Sequence, residues 1–424
     1  MMARYSPENF GISPRLVDIA REVEVGLAGV FAKIDEVGES NQLKVLSAMQ
    51  KHRLGEHHFL PTTGYGYNDM GREVSDAIFA DVFGCEAALV RPTFVSGTHT
   101  LAAALFGNLR PGDELLASTG RPHITLEKVI GLQEHAGSLM DYGVTYKEVA
   151  LLEGEDGVPS RPDFEGIRAA IRPQTRLVHI QRSRGYTWRN ALSIADIKDI
   201  VRFVKDIRPD IICFVDNCYG EFTETLEPTD VGADIVVGSL IKNPGGGLAP
   251  VGGYVVGRRE PVNAAATRLT APGIGGDVGP SLGIVPTFMQ GLFFAPSVVA
   301  AALKTAAFTA GIMERLGYDT MPRSNGPRSD IVQSIRMGTP EGVLKYCCGI
   351  QQAAAVDSHL KPEPWDMPGY DSDVIMAAGA FVQGSGIEFS ADAPMKPPYI
   401  VYQQGALTWW HGKIGALIAI NSIL

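Results

Sequence analysis

The sequence has little of what marks secreted, membrane-bound or nucleic-acid-binding proteins. Its five cysteines form no C-x-x-C pair and keep no regular spacing, which argues against a disulfide framework or a structural zinc site. The first ten residues lack the apolar stretch of a signal peptide, and the apolar run at 414–420 is too short to span a bilayer. A net charge of −10 disfavours a general nucleic-acid or anionic-membrane surface. We therefore expect a reduced, cytoplasmic protein.

Several familiar catalytic signatures are also missing. The sequence has no G-x-x-x-x-G-K-[ST], no H-E-x-x-H, no G-x-G-x-x-G after a strand and no G-x-S-x-G elbow. The pair His57-His58 has no further ligands at metal-binding spacing, so we expect no metal site. P-loop, zinc-protease, dinucleotide and serine-hydrolase chemistry are thereby disfavoured.

What the chain does have is a regular alternation of short apolar runs and amphipathic stretches from residue 87 to residue 257. Continuous apolar strands that alternate with helices predict an α/β domain around a mostly parallel sheet. Ligands of such sheets bind beyond the carboxyl ends of the strands. We predict a helical arm at 1–60 that makes dimer or tetramer contacts, a large domain at 61–296 and a smaller α+β domain at 297–424.

The most informative stretch, at 234–253, consists of an apolar strand, Lys242 and a glycine-rich loop whose backbone could approach a ligand closely. A second apolar strand ends at Asp216. Pyridoxal phosphate (PLP) chemistry needs an aspartate for the pyridinium nitrogen and a lysine for the Schiff base. Burial is expected to lower the pKa of Lys242 and free its amine. Alone, Lys242 is typical of an exposed loop and Asp216 of a strand-end cap, but the pair indicates a PLP site.

A candidate phosphate site lies at 94–100, where a strand is followed by the start of a helix. Backbone amides at a helix N-terminus bind anions, and Gly97 would allow close approach. The neighbouring Ser96 and Thr98 are also ordinary N-cap residues, so this signal is weak by itself. Ser239, three residues before Lys242, is a second candidate phosphate ligand.

Together these residues resemble fold-type I PLP enzymes, and among them the Cys/Met metabolism group of cystathionine β-lyase, cystathionine γ-synthase and methionine γ-lyase. The likeness is closest to the methionine γ-lyase-like or aluminium-resistance branch, and it covers nearly the whole chain. It implies the aspartate aminotransferase fold, with a mostly parallel seven-stranded sheet. The motifs are G-Y-G-Y-N-D-M-G-R at 64–72, V-D-N-C-Y-G-E-F at 215–222, G-S-L-I-K-N-P-G-G-G at 238–247 and R-L-T-A-P-G-I-G at 268–275.

The resemblance implies roles for the residues already singled out. Lys242 would carry the cofactor and later move protons, and Asp216 would pair with the pyridine nitrogen. Gly97, Thr98 and Ser239 would hold the phosphate.

The resemblance also implies that the active site is shared between subunits, as a dimer or tetramer. The family's Tyr-x-Arg pair reaches the phosphate of the neighbouring subunit, and here it falls on Tyr65 and Tyr67, so the arginine is replaced. The residue expected to stack on the cofactor ring is His123, with Pro122 as the alternative.

Two departures from the family pattern bear on the substrate. Ile241 precedes the lysine where better-known members have threonine, which removes one phosphate hydroxyl. The stretch Q-R-S-R-G-Y at 181–186 replaces a motif that carries an asparagine near the cofactor. Arg182 or Arg184 could instead face the cofactor hydroxyl or the substrate carboxylate. Arg328 and Arg336 are further candidates for the carboxylate.

We therefore predict a PLP-dependent carbon–sulfur lyase that releases a thiol, a keto acid and ammonia from cystathionine, cysteine or methionine. One alternative is an aminotransferase, decarboxylase or other PLP enzyme of the same fold. Another is a PLP-binding protein with weak catalysis and a regulatory or stress-response role.

Overall fold

The structure, a computed structural model, describes residues 6–62, 67–154, 157–367, 370 and 372–424. The helices are α1 Pro14–Gly26, α2 Ala28–Lys51, α3 Met70–Val82, α4 Gly97–Asn108, α5 Ile124–Ile130, α6 Phe164–Ala170, α7 Ile194–Ile207, α8 Arg259–Leu269, α9 Val285–Arg315, α10 Pro340–Ala353 and α11 Trp409–Asn421. The strands are β1 Ala87–Arg91, β2 Glu114–Ala117, β3 Thr145–Glu148, β4 Leu152–Glu153, β5 Pro159–Arg161, β6 Thr175–Gln181, β7 Ile212–Asp216, β8 Ile235–Ser239, β9 Gly253–Gly257, β10 Asp319–Met321, β11 Val332–Arg336, β12 Val374–Ala378, β13 Ser390–Pro394 and β14 Ile400–Gln404.

The large domain is organised around a seven-stranded sheet in the order β1-β9-β8-β7-β6-β2-β3. Only β9 runs antiparallel to its neighbours β1 and β8, and the other pairings are parallel. Every residue of β7 and β8 is buried, as expected for strands covered on both faces. The predicted α/β fold with a mostly parallel sheet is confirmed.

Amphipathic helices cover the faces of this sheet. In α7 the buried positions are Ile194, Ile197, Ile200, Val201 and Val204, which is the spacing of one helical face. A capping box at Ser193 and Asp196 fixes where this helix begins, since each side chain accepts the other residue's backbone N–H.

The smaller domain contains a second, antiparallel sheet in the order β10-β11-β14-β13-β12, packed on α10 and α9. The sequence at 386–390 is typical of a short strand and predicts one there, but β13 begins only at Ser390. The reason is a loop closed by Glu388, whose carboxylate accepts the backbone N–H groups of Phe381 and Val382, each at 2.9 Å. This loop sets the register that brings β13 beside β14.

The long helix α9 joins the two domains. The alanine-rich sequence at 297–316 predicts a helix that begins at Ser297, but α9 begins twelve residues earlier, at Val285, and carries Pro296 in its interior. Because proline normally ends or kinks a helix, the sequence indicated a start after it. The first half of α9 packs in the core of the large domain and the second half in the core of the smaller one. By length and composition α9 is apolar enough to cross a membrane, but 72% of its most apolar window is buried, as in a core helix.

The N-terminal helices pack onto α9 of their own chain. Leu16 and Val23 of α1 lie in the same apolar cluster as Phe308 and Ile312 of α9. Helix α2 contacts α9 and α3. The dimer or tetramer contacts of this arm, like the division at residue 296, remain predictions.

The glycine-rich loop after Lys242 packs against α9. A Cβ atom on Gly245 would lie 1.8 Å from the Leu240 carbonyl oxygen, and one on Gly246 would lie 2.4 Å from the Gly291 carbonyl oxygen. On the α9 side, a Cβ on Gly291 would lie 2.2 Å from the Gly245 oxygen. We expected the backbone of this loop to approach a ligand closely. In the structure it approaches other backbone closely, at Leu240 and in α9, and this packing fixes the position of the chain that follows Lys242.

We predict that Gly245→Ala destabilises the protein by about 1–3 kcal/mol, because the new methyl group forces the loop away from Leu240. The control is Gly29→Ala in the first turn of α2, where a Cβ meets nothing within 4 Å. This second change should alter the free energy of unfolding by less than about 0.5 kcal/mol. Denaturant unfolding measures both, and equal stability of the two variants would contradict the packing argument.

Candidate active site

A cavity of about 500 Å³ lies at the carboxyl ends of the central strands, between the two domains. The structure brings seven of the sequence-predicted residues together in its wall: Ser96, Gly97, Thr98, His123, Asp216, Ser239 and Lys242. They converge because β7 and β8 are parallel neighbours, with Asp216 opposite Val237, so their ends meet at one edge of the sheet.

Lys242 lines this cavity and is half-buried. Its Nζ atom lies 4.2 Å from the centre of the Tyr219 ring, which is held by a backbone in the left-handed region at φ 72°. Loss of hydration acts to lower the pKa of Lys242, but nearby acidic groups raise it more, so the net pKa lies well above its ordinary value. These groups are Cys218, Tyr219, Asp216 and Glu221. The expected fall in this pKa is therefore wrong for the chain by itself.

Glu221 is a functional candidate that the sequence did not reveal. It is fully buried, and its Oε1 atom accepts a hydrogen bond from the Tyr254 hydroxyl at 2.7 Å. Its Oε2 atom has no hydrogen-bond partner among the described residues. Burial raises the pKa of Glu221 to about 8, although the bond from Tyr254 opposes the rise. A buried carboxyl group that titrates near neutral pH thus lies within electrostatic reach of Lys242.

Asp216 stands where β7 ends, and it is almost completely buried. Its Oδ1 atom accepts the backbone N–H of Cys218 at 3.1 Å. This bond turns the carboxylate towards the cavity wall, which Asp216 and Cys218 share with Lys242. A carboxylate at this position can hold a ring nitrogen in its protonated form.

The start of α4 lies beside Ser239 in the wall of the cavity. The Ser96 hydroxyl caps the helix by accepting the His99 N–H at 3.1 Å. A Cβ atom on Gly97 would lie 3.3 Å from the Ser239 Cβ, so this glycine leaves room beside the serine. The Ser239 hydroxyl is buried and has no hydrogen-bond partner among the described residues. An orphaned hydroxyl beside a helix N-terminus fits the phosphate of PLP.

His123 is held at the opposite side of the cofactor site. Its backbone N–H donates to Gln181 Oε1 at 2.6 Å, and its Nδ1 lies 3.0 Å from the Thr125 hydroxyl. Loss of hydration, and then the charge of Lys242, lower the pKa of His123 to about 4, whereas Asp216 opposes the fall. The imidazole is therefore neutral at physiological pH, and its flat ring is suited to stacking on an aromatic cofactor.

Of the two tyrosines predicted to reach a neighbouring subunit, Tyr67 is among the described residues and does not line this cavity. Tyr67 is 74% exposed and does not line it. Tyr65 lies outside the described residues. Their contact with a partner's phosphate stays a prediction.

Arg182 and Arg184, predicted to bind cofactor or substrate, are placed elsewhere. Arg182 donates to Asn217 at 2.8 Å and to Glu224 at 3.0 Å, with Glu227 at 3.6 Å. The guanidinium of Arg184 binds both carboxylate oxygens of Asp330 and thereby ties the large domain to the smaller one. Neither residue lines the cavity, because a buried guanidinium must be paired and these carboxylates already pair with it.

Arg328 and Arg336 also lie outside the lining of the cavity. Arg336 pairs with Asp319 at 3.1 Å and covers the Trp188 ring. Among the described residues, Lys242 is therefore the only lysine or arginine that lines the cavity.

The smaller domain supplies a wall that the sequence did not reveal. It contains Asp392 of β13 and Tyr402 and Gln404 of β14, with Tyr186 from the large domain beside them. The strand pairing that sets Asp392 opposite Tyr402 brings these side chains together. The sequence contained a partial signal for this wall, because an aspartate such as Asp392 is unusual among the apolar residues of a strand.

The comparisons with known proteins agree with this geometry. A family model described as methionine gamma-lyase matches residues 16–424. The protein YnbB of Bacillus subtilis (strain 168) is 49% identical over 407 residues, which cover 96% of each chain. A crystal structure from Clostridium novyi NT, described as a carbon–sulfur lyase involved in aluminum resistance, has 50% identity and a TM-score of 0.93, with 98% of each chain covered.

A more distant structure shares the fold alone. It is the pyridoxal-5'-phosphate-dependent protein YhfS of Escherichia coli, at 16% identity and a TM-score of 0.61, over 92% of this chain and 96% of that one. The predicted fold-type I architecture is thereby confirmed. With the family match over nearly its whole length, the chain belongs to the methionine gamma-lyase family.

Proposed function

We propose that the protein is a PLP-dependent carbon–sulfur lyase that acts on a sulfur amino acid such as cystathionine, cysteine or methionine. The observation that carries the proposal is the meeting of Lys242, Asp216 and the orphaned Ser239 hydroxyl in one cavity at the ends of parallel strands. The description of the Clostridium novyi relative as a carbon–sulfur lyase supports the same reaction class.

Three parts of the cavity would hold the cofactor. The N-terminus of α4 and Ser239 would bind the phosphate, because amides at a helix N-terminus bind anions and the Ser239 hydroxyl has no partner among the described residues. The Asp216 carboxylate would accept a hydrogen bond from the protonated ring nitrogen, and His123 would lie against the face of the ring. When bound, PLP would supply the electron sink that takes up the electron pair of the broken Cα–H bond.

Lys242 would bind the cofactor aldehyde and then carry protons. Its ammonium form must lose a proton before the amine can react, and the nearby groups that raise its pKa oppose this loss. Pairing of the Asp216 carboxylate with a ring nitrogen would weaken the effect of this carboxylate on the pKa of Lys242. The amine could then take the α-proton of the substrate.

A proton must also reach the departing sulfur. Burial raises the pKa of Tyr219 to about 12, although Lys242 opposes the rise, so the phenol stays protonated at neutral pH. Its ring lies 4.2 Å from Lys242 Nζ, close enough for the hydroxyl or the lysine to serve this role. In the net reaction one carbon–sulfur bond breaks and one water is consumed, giving a thiol, a keto acid and ammonium.

We further propose that the working form is a homo-oligomer. In one chain the Tyr67 side chain is 74% exposed and lies away from the cavity, as would suit a residue that serves a neighbouring subunit. The motif at 64–72 that contains it resembles the segment that shares the active site in this family.

The first prediction concerns Lys242. After incubation with PLP and reduction by borohydride, the wild-type protein should carry the cofactor on the peptide that contains Lys242. Lys242→Ala should lose this label, and its release of keto acid should fall by about 10²–10⁴-fold. Lys361→Ala, at an exposed lysine outside the cavity, should retain both. Label on another lysine, or undiminished turnover by Lys242→Ala, would disprove the assignment.

Product analysis in the same assay separates the reaction classes. Keto acid and ammonia formed without a second keto acid indicate a lyase, whereas dependence on an added keto acid indicates an aminotransferase. Turnover at background on every thiol amino acid would favour a PLP-binding protein with a regulatory role.

The second prediction concerns Ser239. Because its hydroxyl has no partner in the chain alone, Ser239→Ala should leave the stability of the apoprotein unchanged or slightly raised. The same change should weaken PLP binding about tenfold, through loss of a hydrogen bond to a charged phosphate. Titration of the apoprotein with PLP measures this affinity, and Ser40→Ala on the exposed face of α2 is the control. Equal PLP affinity in the two variants would place the phosphate elsewhere.

A further inference from the structure

A buried pair of side chains, Glu221 and Tyr254, lies behind the part of the cavity wall that carries Lys242. Glu221 is 0% exposed and does not line the cavity, and its Oε1 atom accepts the Tyr254 hydroxyl at 2.7 Å. A Cβ atom on Gly238 of β8 would lie 2.6 Å from this Oε1 and 2.5 Å from the Tyr254 hydroxyl oxygen. The pair therefore packs directly against the backbone of the strand that leads to Lys242.

The chain on either side holds Glu221 close to Lys242. The side chain of Asn243, the residue after the lysine, donates to the Glu221 backbone oxygen at 2.9 Å. Tyr219, two residues before Glu221, places its ring centre 4.2 Å from Lys242 Nζ. The glutamate is thus tied to the segments that position the lysine, although it does not share the surface of the cavity.

Two of the four groups that raise the pKa of Lys242 against the effect of burial are carboxyl groups. The four groups are Cys218, Tyr219, Asp216 and Glu221. Burial raises the pKa of the Cys218 thiol, and that of the Tyr219 phenol to about 12, so both are neutral between about pH 6 and 9. In the proposed function the Asp216 carboxylate pairs with the ring nitrogen of PLP. Glu221 is then the member of this set whose charge can still act on the lysine.

We propose that Glu221 is a positioning residue that sets the charge of Lys242 from behind the cavity wall. Its ionised carboxylate favours the ammonium form of the lysine, whereas its protonated carboxyl group lets the lysine lose a proton more easily. This control rests on the proposed function for the role of Lys242. It is measured without substrate, because the charge of the lysine can be followed in the apoprotein.

The surroundings of Glu221 come from one chain. Its neighbours Phe222 and Tyr254 belong to the main apolar core, and the complete burial of Glu221 leaves no surface that a second subunit could reach. Its Oε2 atom has no hydrogen-bond partner among the described residues. Protonation of this oxygen would therefore break no hydrogen bond in that part of the chain.

The effect should depend on pH because Glu221 titrates near neutrality. Burial raises its pKa to about 8, although the hydrogen bond from Tyr254 opposes the rise. Below this pKa the carboxyl group is neutral, so Glu221→Gln should change the charge of Lys242 little. Above it the carboxylate stabilises the ammonium form, and Glu221→Gln, which lacks the charge, should leave more free amine.

The other titratable groups that face Glu221 or Lys242 are the same in Glu221→Gln and the wild type, so a ratio of the two proteins cancels their effects. They are Tyr254, Glu227, His123, Tyr370 and Asp392. Burial lowers the pKa of His123 to about 4 and raises that of Asp392 to about 6, so neither changes its charge between about pH 7 and 9. Glu227 has Arg182 as its cation at 3.6 Å.

Trace acetylation of the apoprotein with acetic anhydride, followed by peptide mapping, measures the free amine at Lys242 against the exposed Lys361 in the same sample. The rate at Lys242 in Glu221→Gln, divided by the wild-type rate, should be close to one at about pH 6.5 and rise to about tenfold at about pH 9.5. A ratio of one at both pH values, or an equal excess at both, would overturn the inference.

Two further variants separate charge from packing. Tyr254→Phe removes a hydrogen bond that lowers the pKa of Glu221, so in this background the effect of Glu221→Gln should begin at a higher pH. Glu114→Gln is the matched control, because this buried glutamate at the start of β2 accepts the Thr175 hydroxyl at the opposite end of the parallel strands. It should keep the wild-type rates. An unshifted effect in Tyr254→Phe, or a pH-dependent excess in Glu114→Gln, would contradict the role of the Glu221 charge.

This test and that of the proposed function have distinguishable failures. Acetylation of the apoprotein uses neither cofactor nor substrate. A ratio that rises with ionisation of Glu221 supports its control of Lys242 even if borohydride attaches PLP to another lysine, which would disprove only the proposed role of Lys242. Attachment of PLP to Lys242 together with a ratio of one at both pH values would leave the proposed function intact and disprove the role of Glu221.

Discussion

The positive charge of Lys242 is the constraint on which the rest of the site depends. The groups that raise the pKa of Lys242 come from the short segment 216–221, directly after β7. Because β7 and β8 are parallel neighbours, the chain that leaves β7 must pass over the end of β8, where Lys242 follows. The sheet topology therefore brings side chains that are close to one another in sequence next to Lys242.

Buried glutamates and an arginine lie next to this cluster of side chains. Glu221 and Glu227 are both fully buried, and burial raises the pKa of each. Arg182 lies 3.6 Å from Glu227, and Asn217 joins the two residues by hydrogen bonds. The arginine that sequence reasoning placed near the substrate thus compensates acids within the protein. With its guanidinium in the cavity, Arg182 would have left Glu224 and Glu227 without this cation.

The sequence was informative where chemistry is local and uninformative where it depends on packing. The strand ends at Asp216 and Ser239 could be predicted because continuous apolar runs reveal parallel strands, and parallel strands share an edge. The pairing of Arg184 with Asp330 could not be predicted, because Asp330 is 146 residues away in the sequence and no pattern links the two residues. The start of α9 was misplaced for a similar reason, because burial between two domains overrides the local effect of Pro296.

The two domains contribute different walls of one cavity. The groups suited to the cofactor come from the large domain, whereas Asp392 and Tyr402 come from the antiparallel sheet of the smaller one. The smaller-domain wall can therefore change without disturbing Lys242.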